Sequence, residues 1–232
     1  MKRFAQLYSE LDETNKTTGK VEALARYFAD APPEDAAWGL YFLIGRRPRR
    51  PVAVPKLWAW AMERSGLPAW LFAECYDAVA DLAETIAKTL PIEDVAESDL
   101  PLHRWMTERL LPLGMLSEDL QKAEVLRAWD ELDVSQRLVY NKLITGEFRV
   151  GVSQDLVIRA VSQAGGVPPH VVAHRLMGAW EPSPALLRSL FSDDHSDTDV
   201  SRPYPFCLAH PLQANPASLG DPDQWLAEWK FD

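Results

Sequence analysis

Apolar positions recur at helical spacing along almost the whole chain. Phe4, Leu7, Tyr8 and Leu11 form one stripe, and Val21, Leu24, Ala25 and Phe28 form a second. Pro32-Pro33-Glu34-Asp35 opens a third helix, with acids in its first turn, that carries Trp38, Tyr41, Phe42 and Ile44. Pro55 starts a fourth, with Leu57, Trp58 and Ala61, closed near Gly66. Pro68 starts the longest, through Trp70, Leu71, Cys75, Val79, Leu82 and Ile86 to Leu90. A helix from Ser117 bears Val125, Leu126 and Trp129, and shorter ones are predicted over 135–144, 153–163, 168–177 and 184–191. Strand-like alternation is absent, so the expected class is all-α. Most aromatic residues fall on the apolar stripes, where they pack a core.

The texture changes after Phe191. Residues 192–201 are polar and acidic, a linker by composition. Then follow Arg202-Pro203-Tyr204-Pro205-Phe206-Cys207-Leu208-Ala209, a proline-broken stretch to Asp223, and a short segment from Trp225 to Lys230. The expected division is a helical domain over 1–191, a linker over 192–201, and over 202–232 the first segment of a second domain whose remainder is missing.

Composition narrows the classes. A hydrophobic content of 47% in 232 residues is ample for a core. No segment is long and apolar enough to span a bilayer, and the start reads into charge, unlike a signal peptide. Cys75 and Cys207 stand far apart without metal-like spacing, which argues for a reducing cytoplasm and against disulfides or a metal site. The net charge of −10, taken alone, argues against a nucleic-acid partner.

The distribution of charge changes that picture. Gly45 to Lys56 reads GRRPRRPVAVPK, with Arg46, Arg47, Arg49, Arg50 and Lys56 and no acid. Glu74 to Asp99 holds eight acids against Lys88. A polyanion fits the basic side, with the acids expected on the opposite surface; a solvated arginine turn accounts for the same loop equally well.

The chain also echoes itself. Phe42-Leu43-Ile44-Gly45-Arg46 leads through a basic loop into a helix, and Lys142-Leu143-Ile144-Thr145-Gly146 leads through Arg149 and Gly151 into another. Two similar helical halves could meet the two strands of a duplex in related ways, though helix-glycine-loop-helix also arises by convergence. In the second loop glycine lets a backbone approach a ligand closely, and Ser153 is placed to cap the next helix. That helix start and Arg149 could together hold a phosphate. A glycine-capped helix connection accounts for the same residues.

The run Lys142-Leu143-Ile144-Thr145-Gly146-Glu147-Phe148-Arg149-Val150-Gly151-Val152-Ser153, followed by Val157, Arg159 and Ala160, resembles the signature of the helical DNA-binding domain of ATP-dependent DNA ligases. Phe148 and Val150 replace the family's Leu and Ile. Arg202 to Ala209 resembles the family's lead-in to its nucleotidyltransferase domain, and Glu228-Trp229-Lys230-Phe231-Asp232 resembles its adenylation motif, Glu-x-Lys-x-Asp-Gly. The Gly45 arginine loop is similar to that of bacterial ligases encoded beside a helicase and a nuclease.

The resemblance implies the DNA-binding portion of an enzyme of DNA repair, replication or recombination, cytoplasmic and working with ATP and Mg²⁺. It makes Lys230 the AMP acceptor and puts Glu228 at the adenine, with Asp232 at the ribose or at the ligating groups around the lysine. It implies that nicked double-stranded DNA is gripped through its backbone, without base preference. The expected contacts are Arg46, Arg47, Arg49, Arg50, Lys56, Lys142, Gly146, Arg149, Gly151 and Ser153. The 232 residues alone are expected to be inactive, and helicase or nuclease partners are implied. The competing reading is a helical adaptor with a protein partner. A sequence-specific helix-turn-helix fits poorly, since the helix after Ser153 is too apolar to read bases.

Overall fold

The computed structural model describes residues 1–91, 98–146, 148, 150–192 and 220–221. Among them are twelve α-helices and no strand: α1 (Lys2–Glu13), α2 (Thr17–Asp30), α3 (Pro33–Leu43), α4 (Val54–Ser65), α5 (Ala69–Val79), α6 (Leu82–Thr89), α7 (Leu102–Arg104), α8 (Glu118–Glu131), α9 (Val134–Thr145), α10 (Gln154–Gly165), α11 (Pro169–Arg175) and α12 (Pro184–Leu190). The all-α class is as expected. Apart from Ser192, Gly220 and Asp221, the linker and second segment lie outside the described residues.

The stripes turn inward as their spacing requires. Phe4, Leu7, Tyr8 and Leu11 of α1 and Val21, Leu24, Ala25 and Phe28 of α2 are all buried. α1 packs against both α2 and α9, α2 lies along α10, and α6 lies along α9. Burying each large apolar side chain of this kind contributes roughly 1.5–3 kcal/mol. Some polar atoms in the same core are paired: the Trp129 indole N–H donates to Asn141 Oδ1 at 2.7 Å, and Arg137 Nε donates to the Trp129 carbonyl at 3.0 Å, whereas the buried Trp105 indole N–H has no partner among the described residues.

Two stretches differ from the sequence expectation. The long helix from Pro68 to Leu90 is broken at Ala80, which takes a left-handed φ of 56°. Asp81 then caps α6, its Oδ1 accepting the Glu84 N–H at 3.0 Å. The left-handed residue costs about 1–2 kcal/mol. The cap, together with Leu82 and Ile86 buried on α6, offsets it. The second difference is residues 102–115, where α7 runs into a π-helical turn (Trp105–Leu110) and a 3₁₀ turn (Leu111–Met115). These bury Leu102, Trp105, Met106, Leu110 and Leu113. Asp35 of α3 holds the start of this segment, its carboxylate accepting the N–H groups of Leu102 at 3.1 Å and His103 at 2.9 Å.

Candidate nucleic-acid interface

Both glycine turns form as left-handed helix ends. After α3, Gly45 has φ 85°, its N–H donates to the Phe42 carbonyl at 2.9 Å, and the Arg46 N–H donates to Tyr41 at 3.0 Å. After α9, Gly146 has φ 72° and donates to the Lys142 carbonyl at 3.0 Å. A side chain is disfavoured in that conformation, which is why glycine stands there. The chain re-enters helix at Val54 with Pro55 in the first turn, and at Gln154 behind Ser153, whose Oγ accepts the Leu156 N–H at 3.4 Å. The echo in the sequence thus has a structural counterpart.

The two turns meet. Arg47 Nη1 donates to the Gly146 carbonyl at 3.3 Å, and Arg50 Nε donates to Thr145 at 3.0 Å. Those carbonyls belong to the end of α9, where the helix dipole is negative. Arg46 reaches the other way, donating to the Gly178 carbonyl with its guanidinium 4.5 Å from the Trp180 ring centroid. Between the turns lies a cleft of about 260 Å³ lined by Phe42, Gly45, Arg46, Arg47, Lys142, Leu143, Gly146 and Phe148.

Two residues fix the second turn from behind. Phe148 stacks on Phe4 at 5.2 Å between centroids and meets Tyr8 edge-on at 5.3 Å, so this departure from the family pattern is an anchor in the core. Lys20 of α2 is buried and donates to the carbonyls of Val150 at 3.2 Å and Gly151 at 2.9 Å. Sequence reasoning passed over Lys20 and Trp180. The signal for Lys20 was its place four residues ahead of Leu24, on the buried stripe of α2.

The other expected contacts are placed unevenly. Arg49 is exposed, and Lys56 pairs with Glu118 at 2.8 Å. Lys142 is a correction: it is buried and its ammonium is bound to Asp81, so it lines the inner wall of the cleft as half of an ion pair. Asp81 corrects a second expectation, since it is not opposite the arginine turns. Tyr8, against Phe148, has its phenol pushed up to about 12, first by burial and then by the charges of Asp12, Asp81 and Glu84. These acids therefore lie near Tyr8. α6 packs along α9, and that carries Asp81 toward the site. Arg149, Glu228 and Lys230 lie outside the described residues.

Among the described residues no cluster of His, Cys, Asp and Glu could hold a metal ion, and no helix is long and apolar enough to cross a membrane. What they build is an all-helical domain in which an arginine-bearing turn and a glycine turn share one cleft. Residues 1–162, from α1 into α10 and including both turns, match the family described as DNA ligase N terminus. The chain belongs to that family, the N-terminal domain of ATP-dependent DNA ligases. No curated protein matches it.

Proposed function

We propose that this domain grips nicked duplex DNA through the phosphate backbone, without base preference, and holds it for sealing by the rest of a ligase. One observation carries the reading: Arg47 reaches Gly146, so the arginine turn after α3 and the glycine turn after α9, far apart in sequence, share one cleft. Arg46, Arg47, Arg49, Arg50 and Arg149 supply the charge, and the backbone around Gly146, Gly151 and Ser153 supplies close approach. Guanidinium groups suit phosphate because their paired N–H donors match its oxygens. The overall charge of −10 is no obstacle where cations are gathered, since Asp81 beside the cleft is paired with Lys142 and exposed charges beyond about 8 Å are largely screened at physiological salt.

We further propose that Lys230 accepts AMP from ATP with Glu228 beside the adenine, as the resemblance implies, and that magnesium offsets phosphate charge. Repair helicase or nuclease partners and a cytoplasmic location belong to the same proposal.

Fluorescence anisotropy with labelled nicked duplexes of two unrelated sequences tests the grip. Similar affinity for both is expected, and Arg47→Ala should weaken both alike. Each lost phosphate contact should flatten log affinity against log salt by about 0.9. Absence of binding at low salt would return the domain to the adaptor reading.

A further inference from the structure

Lys20 stands in the first turn of α2, 9% exposed, and no carboxylate pairs with it among the described residues. Its charge is instead met by two consecutive backbone carbonyls, those of Val150 and Gly151, more than a hundred residues away. A buried ammonium is costly unless it is hydrogen-bonded, so the contact is a specific one. Gly151 is shaped to it. Its φ is 62°, and a Cβ there would lie 2.9 Å from Lys20 Nζ.

The direction of those carbonyls sets the direction of something else. The peptide bonds of the described residues are trans, and across a trans peptide the C=O and the following N–H point opposite ways. With the carbonyls of Val150 and Gly151 drawn to Lys20, the N–H groups of Gly151 and Val152 face away from it. Neither donates to a described backbone partner. They lead directly into Ser153 and the start of α10.

We propose that Lys20 is a positioning residue for DNA binding: by holding the two carbonyls it aims the N–H groups of Gly151 and Val152 at one phosphate, without itself touching DNA. This rests on the reading that the domain grips duplex backbone.

The test uses the whole 232-residue chain with Lys20→Met, Lys20→Arg, Gly151→Ala, the Lys20→Met/Gly151→Ala pair, and Arg47→Ala as control. Lys20→Met should weaken binding of nicked duplex by about tenfold, and Lys20→Arg, which also carries several donors, should restore most of it. The salt slope should stay at the wild-type value, because no cation is lost from the phosphates. The double variant should bind no more weakly than the worse single one, since both act through one contact. The ¹⁵N-resolved amide signals of Gly151 and Val152 should move on titration with inorganic phosphate in the wild type and stay still in Lys20→Met. Should Lys20→Met fail to fold, Gly151→Ala carries the test, since its Cβ displaces the ammonium. Wild-type binding by Lys20→Met while Arg47→Ala binds weakly would overturn this inference alone. A slope lowered by about 0.9 would overturn it by making Lys20 a direct phosphate contact. Unchanged binding in Arg47→Ala as well would overturn the DNA reading beneath it.

Discussion

Lys142 and Asp81, 61 residues apart in the chain, form an ion pair whose side chains are 7% and 23% exposed. Asp81 has a second task as the cap of α6, and Lys142 stands one turn ahead of Gly146. The pair therefore ties the break between α5 and α6 to the helix that delivers the second glycine turn.

The two partners should respond unequally to removal. Asp81→Asn keeps a capping oxygen but leaves the ammonium buried without a counter-charge, at a cost of about 3 kcal/mol. Lys142→Met leaves a carboxylate that still has access to water, and should cost less. Urea unfolding measures both. Lys142→Met should also leave the salt slope of DNA binding unchanged, and a slope reduced as in Arg47→Ala would restore Lys142 as a phosphate contact.

Gly146 and Gly166 make a matched pair. Both end a helix at left-handed φ, 72° and 69°. A Cβ at Gly146 would sit in ordinary contact with Arg47 Cδ at 3.4 Å, whereas nothing lies within 4 Å at Gly166. Alanine at either position should cost about 1 kcal/mol of stability, for the backbone reason alone. Only Gly146→Ala should reduce affinity for DNA, because the strained turn carries the carbonyl that holds Arg47. Equal losses of affinity would argue that the Gly146–Arg47 contact is irrelevant to binding.

Asp35 should be among the most sensitive positions in the chain. Its buried carboxylate serves the backbone N–H groups of Leu102 and His103, and lies 2.6 Å from His103 Nδ1. Asp35→Ala should lose about 3 kcal/mol, because buried donors are left unmet. Hydrogen exchange should report the same event locally, as faster exchange of the Leu102 and His103 amides. Unaltered exchange there would show that the segment is held by its apolar contacts.

Stability should fall at alkaline pH. Tyr8 is pushed up to about 12, and burial raises Tyr27 and Tyr140 above the ordinary value of 10.0 as well. The unfolded chain releases these protons near pH 10 while the folded chain keeps them. Their contribution is therefore complete below pH 10 and declines as pH rises toward 12 and beyond. Tyrosinate absorbance and loss of helical circular dichroism should appear together. Full ionisation with helicity intact would contradict the burial of these rings.

What was legible in the sequence follows from where the physics is local. α1 to α4 and α8 to α12 could be read from their stripes, because one buried face imposes its period on the residues. The break at Ala80 was hidden by the same rule: Cys75, Val79, Leu82 and Ile86 keep helical spacing straight across it. Pro112, Gly114 and a π turn disrupt the period over 102–115, so that segment gave no stripe. At the site, each glycine-arginine turn could be read alone. That Arg47 would touch Gly146, or that Asp81 would claim Lys142, depends on how α6 lies along α9, and no local spacing encodes that.

The cleft is also a matter of timing. Arg47 and its acceptor Gly146 are 99 residues apart, and Arg46 and Gly178 are 132 apart. A chain growing on the ribosome makes its first arginines early, but the acceptors of Arg47 and Arg46 follow only when residues 146 and 178 have emerged. On the proposed function, an unfinished copy has no grip on the chromosome, and neither does one clipped so that α3 and α4 part from α9 and α10. DNA affinity then comes only with a finished helical domain, and shorter pieces of that domain do not compete for nicks.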